Sequence, residues 1–328
     1  MADGSIRLPA DLCLDLVRAG LASDPQQVRV VVEQLAAASQ TAGQRAFADA
    51  LATTLRVHTP SVMRVQTEDA LRLYSSRTPE KRLSELILPA PVKRACEEFL
   101  DDHRCAAQLR AHGLQPRHRI LLDGPPGNGK TSLAEALATA LAFPLWVVRY
   151  DQLVSGSLGE MLTNLGRLFA QAHQQPCVLF FDEFETIGKE RGEATDTTDI
   201  KRAVGMLLMH IEMTPPQTVV IAATNHQELL DHAAWRRFQL RLHLPRPTRP
   251  QVEQWFTTLR RRLPFPAELT AELSDRLVEV SFAELEQFSD DLLRRAAVTG
   301  HDADLGVIVR ERLSLWTRRL IPAGYGHR

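Results

Sequence analysis

The string Gly124-Pro125-Pro126-Gly127-Asn128-Gly129-Lys130-Thr131 follows an apolar run at Ile120–Leu122 and precedes a helical stretch from Ser132 to Leu141. It fits G-x-x-x-x-G-K-[ST] in the strand–loop–helix setting that gives the pattern its meaning. Gly127 and Gly129 let backbone amides converge on phosphate oxygens where side chains would block the approach. The N-terminus of the next helix adds its dipole. Lys130 supplies a charge for the β- and γ-phosphates, and Thr131 a hydroxyl for Mg2+. The residues from Gly124 through Ser132 are therefore the candidate nucleotide contacts. The loop also constrains the fold: a strand in front of it and a helix behind it demand an α/β layer.

Four more apolar runs supply the rest of that layer: Leu145–Val148, Val178–Phe181, Val219–Ala222 and Leu240–Leu244. Their apolar character is continuous rather than alternating. Such strands are buried on both faces, which predicts a mostly parallel sheet. A helix is expected from Pro89 to about His112, with Gly113 as its C-cap. Past Pro250 the strand character vanishes, and Val252 to Leu320 reads as a second helical region. Toward the N-terminus, apolar residues at helical spacing predict a small all-α module over 1–56. Residues 57–83 read as a linker, with one helix around Asp69 to Tyr74. The expected division is a helical module at 1–56, a linker at 57–83, a nucleotide-binding core at 84–250, and a helical region with a tail at 251–328.

The third apolar run ends in two acids, Cys177-Val-Leu-Phe-Phe-Asp182-Glu183. The carboxyl ends of parallel strands line the ligand crevice of an open sheet. Asp182 there is a candidate Mg2+ ligand, and Glu183 is placed to polarise an attacking water. Glu185 and Arg191 follow closely, but solvent exposure explains either as well as a role in the site does. The fourth run ends at Asn225, an amide suited to orienting that water. Trp235-Arg236-Arg237-Phe238 comes ten residues later, and its two arginines are candidates for stabilising transition-state charge on a neighbouring subunit's nucleotide.

Composition narrows the partners. Lys plus Arg is 39 and Asp plus Glu 40, for a formal charge of −1. That balance disfavours a dedicated nucleic-acid binder. Four cysteines, at 13, 96, 105 and 177, form no C-x-x-C pair and fit reduced thiols. The N-terminus lacks the pattern of a signal peptide, and the longest apolar stretch, Leu133 to Val148, is broken by Glu135 and Pro144. A soluble cytoplasmic chain with no membrane contact is expected.

The strings GPPGNGKT, VLFFDE, VIAATN and LLDHAAWRRF, with ERG at 190–192, resemble the AAA family of ATPases within the AAA+ group, over about Ser84 to Ala297. The resemblance implies a five-stranded parallel sheet of order 5-1-4-3-2, a helical lid, ATP and Mg2+ as ligands, and a ring, usually hexameric. It implies that Gly124 to Thr131 is Walker A, that Asp182 and Glu183 are Walker B, and that Asn225 is sensor 1. Arg236 and Arg237 would then act across a subunit boundary, with Arg237, beside Phe238, the preferred finger. Leu86-Ile-Leu-Pro89 falls where the family builds its adenine pocket. Ser281-Phe-Ala-Glu284 has the form of a capping box where the lid helix over the nucleotide begins, without the arginine that other AAA+ branches carry there.

One departure bears on function. Where unfoldases of the family carry an aromatic–aliphatic–Gly pore loop, this chain has Ser157-Leu158-Gly159-Glu160. Serine offers little apolar area for gripping a polypeptide. The helical N-terminal module is similar to that of bacterial AAA ATPases that work with a separately encoded protease. The leading expectation is thus an ATP-driven ring acting on a partner protein, with a protease or its substrates among the candidates. Two alternatives remain: a nucleic-acid accessory ATPase using Arg260-Arg261-Arg262 and the Arg-rich end from Arg310 to Arg328, and a nucleotide-gated scaffold that hydrolyses slowly.

Overall fold

A computed structural model describes residues 32, 35, 73–154, 157–186, 197–226, 232–300 and 304–320. The expected helical module at 1–56 (Val32 and Leu35 apart), the ERG string and the last eight residues lie outside these. The chain divides into two compact units, Met1–Gln66 and Thr67–Arg328.

The elements of the second unit run β1 (Tyr74–Arg77), a 3-10 turn (Leu83–Glu85), α1 (Ala90–Arg104), α2 (Ala106–Ala111), β2 (Arg119–Asp123), α3 (Lys130–Leu141), β3 (Leu145–Val148), α4 (Tyr150–Leu153), α5 (Leu158–Ala172) and β4 (Cys177–Phe181). Then come α6 (Thr197–Met213), β5 (Thr218–Thr224), α7 (His232–Arg237), β6 (Leu240–His243), α8 (Arg249–Leu259), α9 (Glu268–Arg276), α10 (Phe282–Thr299) and α11 (Leu305–Leu320). The sheet order is β1-β3-β4-β5-β2-β6. Five strands are mutually parallel, with Ile120 opposite Leu240, Leu121 opposite Ala222 and Leu145 opposite Val178. Numbered among themselves, these five have the expected order 5-1-4-3-2.

Alternate residues of each central strand enter opposite cores, which explains the unbroken apolar runs. Leu121, Leu179, Phe181, Val220 and Ala222 pack beneath α5 and α6. Ile120, Leu122, Val178, Phe180 and Ile221 pack beneath α1 and α3. The β6 strand at the edge alternates instead, with Leu242 buried and Arg241 and His243 exposed. Helices α8 to α11 form a third core around Val252, Phe256, Leu273, Phe288 and Val309.

The sheet gains a sixth strand that the sequence reading did not include. Tyr74–Arg77, inside the stretch read as linker, pairs antiparallel with β3, placing Tyr74 opposite Val148 and Ser76 opposite Trp146. The Tyr74 ring reaches the diagonal neighbour and stacks on Trp146, with centroids 4.1 Å apart and planes 12° apart. Cross-strand aromatic pairs of this kind stabilise a sheet edge. Tyr74 is therefore a strand residue rather than the end of a helix. The helix expected from Pro89 to His112 is interrupted at Cys105 into α1 and α2, and Gly113, at φ +73°, turns the chain after it.

Candidate nucleotide site

β2 delivers the chain into the 124–129 loop at the centre of the sheet. Gly124, at φ +137°, lies so close to β6 that a Cβ there would be 2.2 Å from the Leu244 carbonyl oxygen. The Leu244 amide donates to the Asp123 carbonyl at 2.8 Å, fixing that approach. Gly127 is crowded from the other side, where a Cβ would be 2.9 Å from Ser281 Oγ. The helical lid thus rests on the loop. The Ala283 amide donates to the Gly127 carbonyl at 2.9 Å, and the Phe282 amide to Asn128 Oδ1 at 3.4 Å. Ser281 caps α10 as expected, its Oγ accepting from the Glu284 amide at 3.3 Å.

Lys130 opens α3 and is buried. Its Nζ donates to the carbonyls of Gly124 at 2.6 Å and Pro125 at 3.0 Å. Burial pushes its ammonium below the usual lysine range, against the opposing pull of Asp182, Glu185 and Asp123. Thr131 Oγ1 donates to Asp182 Oδ2 at 3.0 Å, joining the loop to the end of β4. Asp182 Oδ1 accepts the Glu183 amide at 3.1 Å. Glu183 sits at φ +48°, a left-handed conformation unusual for a residue with a side chain, and is exposed.

Of the two readings open for Glu185, the structure excludes solvent exposure: only 8% of it is accessible. Its Oε1 accepts the Asn225 amide at 3.2 Å, tying the end of β4 to the end of β5. The turn after Glu183 carries the chain back under the sheet, where the Phe184 amide donates to the Ala223 carbonyl at 2.8 Å. Glu185 Oε2 and Asn225 Oδ1 are buried without hydrogen-bond partners. Such atoms mark places where a ligand or water completes the bonding.

Most of these groups, Glu185 not among them, line one cavity of about 480 Å³, a size suited to a small-molecule ligand. Lys130, Thr131, Asp182, Glu183 and Asn225 make its polar wall, together with Pro126 to Gly129 and Ser132. Leu86, Ile87, Leu88, Trp255 and Phe282 make an apolar wall. Gly124, Pro125 and Pro89 are not among the lining residues. Trp255 and Lys81 carry no sequence motif that marks them as site residues. Trp255 lies on α8, with its Nε1 donating to Ser289 Oγ at 2.9 Å and its ring 5.9 Å from that of Phe282.

The donors fit Mg2+. A hydroxyl and a carboxylate in contact are hard oxygen ligands, and Mg2+ is usually held by one or two carboxylates with substrate phosphates and water. Among the described residues no cluster of three or more His, Cys, Asp or Glu side chains offers an all-protein metal cage.

Arg236 and Arg237 stand apart from this cavity, at the end of α7. Arg237 is ion-paired with Glu212, and Arg236 is exposed. The following Phe238 is buried edge-on against Phe184, with centroids 6.0 Å apart and planes at 85°. Ser157 is the N-cap of α5. Its Oγ accepts the Glu160 amide at 3.3 Å while its own amide donates to Glu160 Oε2 at 2.9 Å. Leu158 leans into the core beneath that helix. Of the arginine run proposed for nucleic acid, Arg260 is engaged with the Phe265 carbonyl at 3.0 Å and lies over the Phe265 ring. Among the described residues no helix is long and apolar enough to cross a membrane.

Residues 120–246 match the family described as ATPase family associated with various cellular activities (AAA). An uncharacterized AAA family ATPase of Sinorhizobium fredii is 37% identical over 209 residues, covering 64% of this chain and 63% of the relative. ATP-dependent zinc metalloprotease FtsH 3 of Sphaerobacter thermophilus is 29% identical over 230 residues, 68% of this chain and 47% of that protein. A cell division cycle protein 48 homolog of Archaeoglobus fulgidus is 33% identical over 184 residues, 54% of this chain and 25% of its own length. The chain therefore spans less than two thirds of each of these relatives.

Proposed function

We propose, for a chain whose residues 120–246 belong to the AAA family of ATPases, that it hydrolyses ATP in a ring of identical subunits and uses the cycle to remodel or activate a partner protein. The observation that carries this reading is the Thr131–Asp182 bond of 3.0 Å in a cavity shared with Lys130, Glu183 and Asn225. The loop amides and Lys130 bind the triphosphate, while Thr131 and Asp182 hold Mg2+. When bound, Mg2+ held by these two residues would neutralise charge developing on the triphosphate. Glu183 accepts the proton of the attacking water, and Asn225 orients that water. Arg237, or Arg236 beside it, is offered to the next subunit's nucleotide. The supporting observation is that neither lines the cavity of its own chain.

The partner is a protein, with a protease or its substrates the preferred class; the relative FtsH 3 is, by its name, itself an ATP-dependent metalloprotease. Ser157 serves as a helix cap and Leu158 packs inward, so the expected pore-loop string favours engagement through the N-terminal module over gripping by that loop. A cytoplasmic location accords with the free thiols of Cys96, Cys105 and Cys177.

The test is Glu183→Gln, which should bind ATP, fail to hydrolyse it and accumulate as nucleotide-bound oligomers. Hydrolysis at the wild-type rate would remove Glu183 from the mechanism. Arg237→Ala subunits should regain turnover when mixed with Glu183→Gln subunits, and no rescue at any ratio counts against a finger acting in trans.

A further inference from the structure

The nucleotide cavity contains a second lysine. Lys81 precedes the 3-10 turn at Leu83–Glu85 and lines the same cavity as Lys130. Its Nζ donates to Ser132 Oγ at 2.8 Å. The position is built rather than incidental, because Glu135 Oε1 on α3 accepts the amides of both Glu80 at 3.2 Å and Lys81 at 3.3 Å. A side chain of the phosphate-loop helix thus anchors the backbone that carries the lysine. Among the described residues the Lys81 ammonium forms no ion pair, so its charge is left for a ligand.

Its place along the cavity indicates which part of a nucleotide it meets. Lys130 and Thr131 face Asp182, where the terminal phosphates and the attacking water belong. From Lys81 the chain runs through Glu85 directly to Leu86, Ile87 and Leu88, part of the apolar wall suited to a base. Ser132 is the third residue of α3, and its amide is still free of intrahelical bonding. A cation bonded to that serine stands between the two regions.

We infer that Lys81 is a nucleotide-binding residue whose ammonium, held against Ser132, contacts the phosphate adjoining the nucleoside. The inference rests on the proposed ATPase function and adds a contact to it. ATP, ADP and AMP all carry that phosphate, so Lys81 binds them alike, and uniform binding alters KM without altering kcat. It also couples the segment that extends the sheet through β1 to nucleotide occupancy.

Titrating the full-length chain with ATP, ADP, AMP and adenosine tests this, using the wild type, Lys81→Ala and Lys81→Arg. Lys81→Ala should weaken all three phosphorylated ligands by a similar factor, about tenfold for one charge-assisted hydrogen bond. It should leave adenosine and kcat unchanged while KM rises, and Lys81→Arg should recover most of the loss. Unchanged ADP and ATP affinity would overturn the inference. So would an equal loss for adenosine, which would make Lys81 a structural residue, or an arginine variant as weak as the alanine one. A loss confined to ATP would overturn the placement at the first phosphate. Failure of the wild type to bind any adenine nucleotide would overturn the ATPase function itself, and this contact with it.

Discussion

Gly127 and Gly129 have similar left-handed conformations, φ +74° and +85°, but different surroundings, and that difference yields a measurable contrast. In either position an alanine takes on strain of about 1–2 kcal/mol. Part of this, about 0.4–1 kcal/mol, is recovered because alanine restricts the unfolded chain. Nothing lies within 4 Å of a Cβ at Gly129, so the net cost of Gly129→Ala in the nucleotide-free protein is about 1 kcal/mol. At Gly127 the new methyl would be 2.9 Å from Ser281 Oγ and 3.1 Å from Ala283 Cβ. The start of α10 must then retreat, losing the Ala283–Gly127 bond of 2.9 Å and about 1 kcal/mol more. Gly127→Ala should therefore be destabilised by roughly 2–3 kcal/mol. For a unit of this size that corresponds to about 4–12 °C in Tm, against about 2–4 °C for Gly129→Ala. Thermal melts without nucleotide measure both. The near-UV dichroism of Trp255, whose ring is 5.9 Å from Phe282, should change only in Gly127→Ala. Equal losses of Tm and an unchanged Trp255 signal in both variants would refute the contact between lid and loop.

Other contacts are open to the same kind of measurement. Glu185→Ala leaves the part-buried Asn225 backbone amide without its acceptor; it should cost about 1–3 kcal/mol and, by misplacing Asn225, lower kcat roughly 10- to 100-fold, whereas a wild-type kcat would release Asn225 from its proposed role. Tyr74→Ala removes the ring stacked on Trp146 and should destabilise the protein by about 3–5 kcal/mol in urea melts; a loss within experimental error would mean that β1 is not docked. Burial pushes the Cys96 and Cys177 thiols up to about 12, so iodoacetamide at pH 8.5 should modify Cys105 and reach the other two only after unfolding, as mass spectrometry of tryptic peptides reads directly. Burial lowers the pKa of His103, His118, His173 and His210, so the unfolded chain binds more protons near pH 6.5. Their contribution makes stability fall as pH drops through about 6.5, levelling off below the folded-state values; greater stability at pH 5.5 than at 7.5 would contradict it.

The central strands were legible because burial on both faces leaves an unmistakable trace: Val178 and Leu179 enter different cores, yet both must be apolar. The phosphate loop and the Ser281 capping box were legible because backbone geometry restricts residue type at fixed spacing. The β1 strand was not. Tyr74-Ser-Ser-Arg77 carries one large apolar residue, and its partner Trp146 lies some seventy positions away. Glu185 looks like any exposed acid until the turn after Glu183 folds it inward. Lys81 likewise carries no local signal, since its anchor, Glu135, belongs to a helix beyond the loop. Ser157 was read as a lost aromatic, whereas locally it is half of a capping box with Glu160, a pattern present in the sequence itself.

The edge-on contact between Phe184 and Phe238 joins two residues that do no chemistry, yet each is the immediate neighbour of one proposed to do so. Glu183 precedes the first ring and Arg237 precedes the second. In the proposed ring, Glu183 would serve the nucleotide of its own chain and Arg237 that of the next. The two rings then join the turn that carries the first residue to the helix end that carries the second. Under that proposal one aromatic contact, beside the Arg237–Glu212 ion pair, links the placement of the two residues.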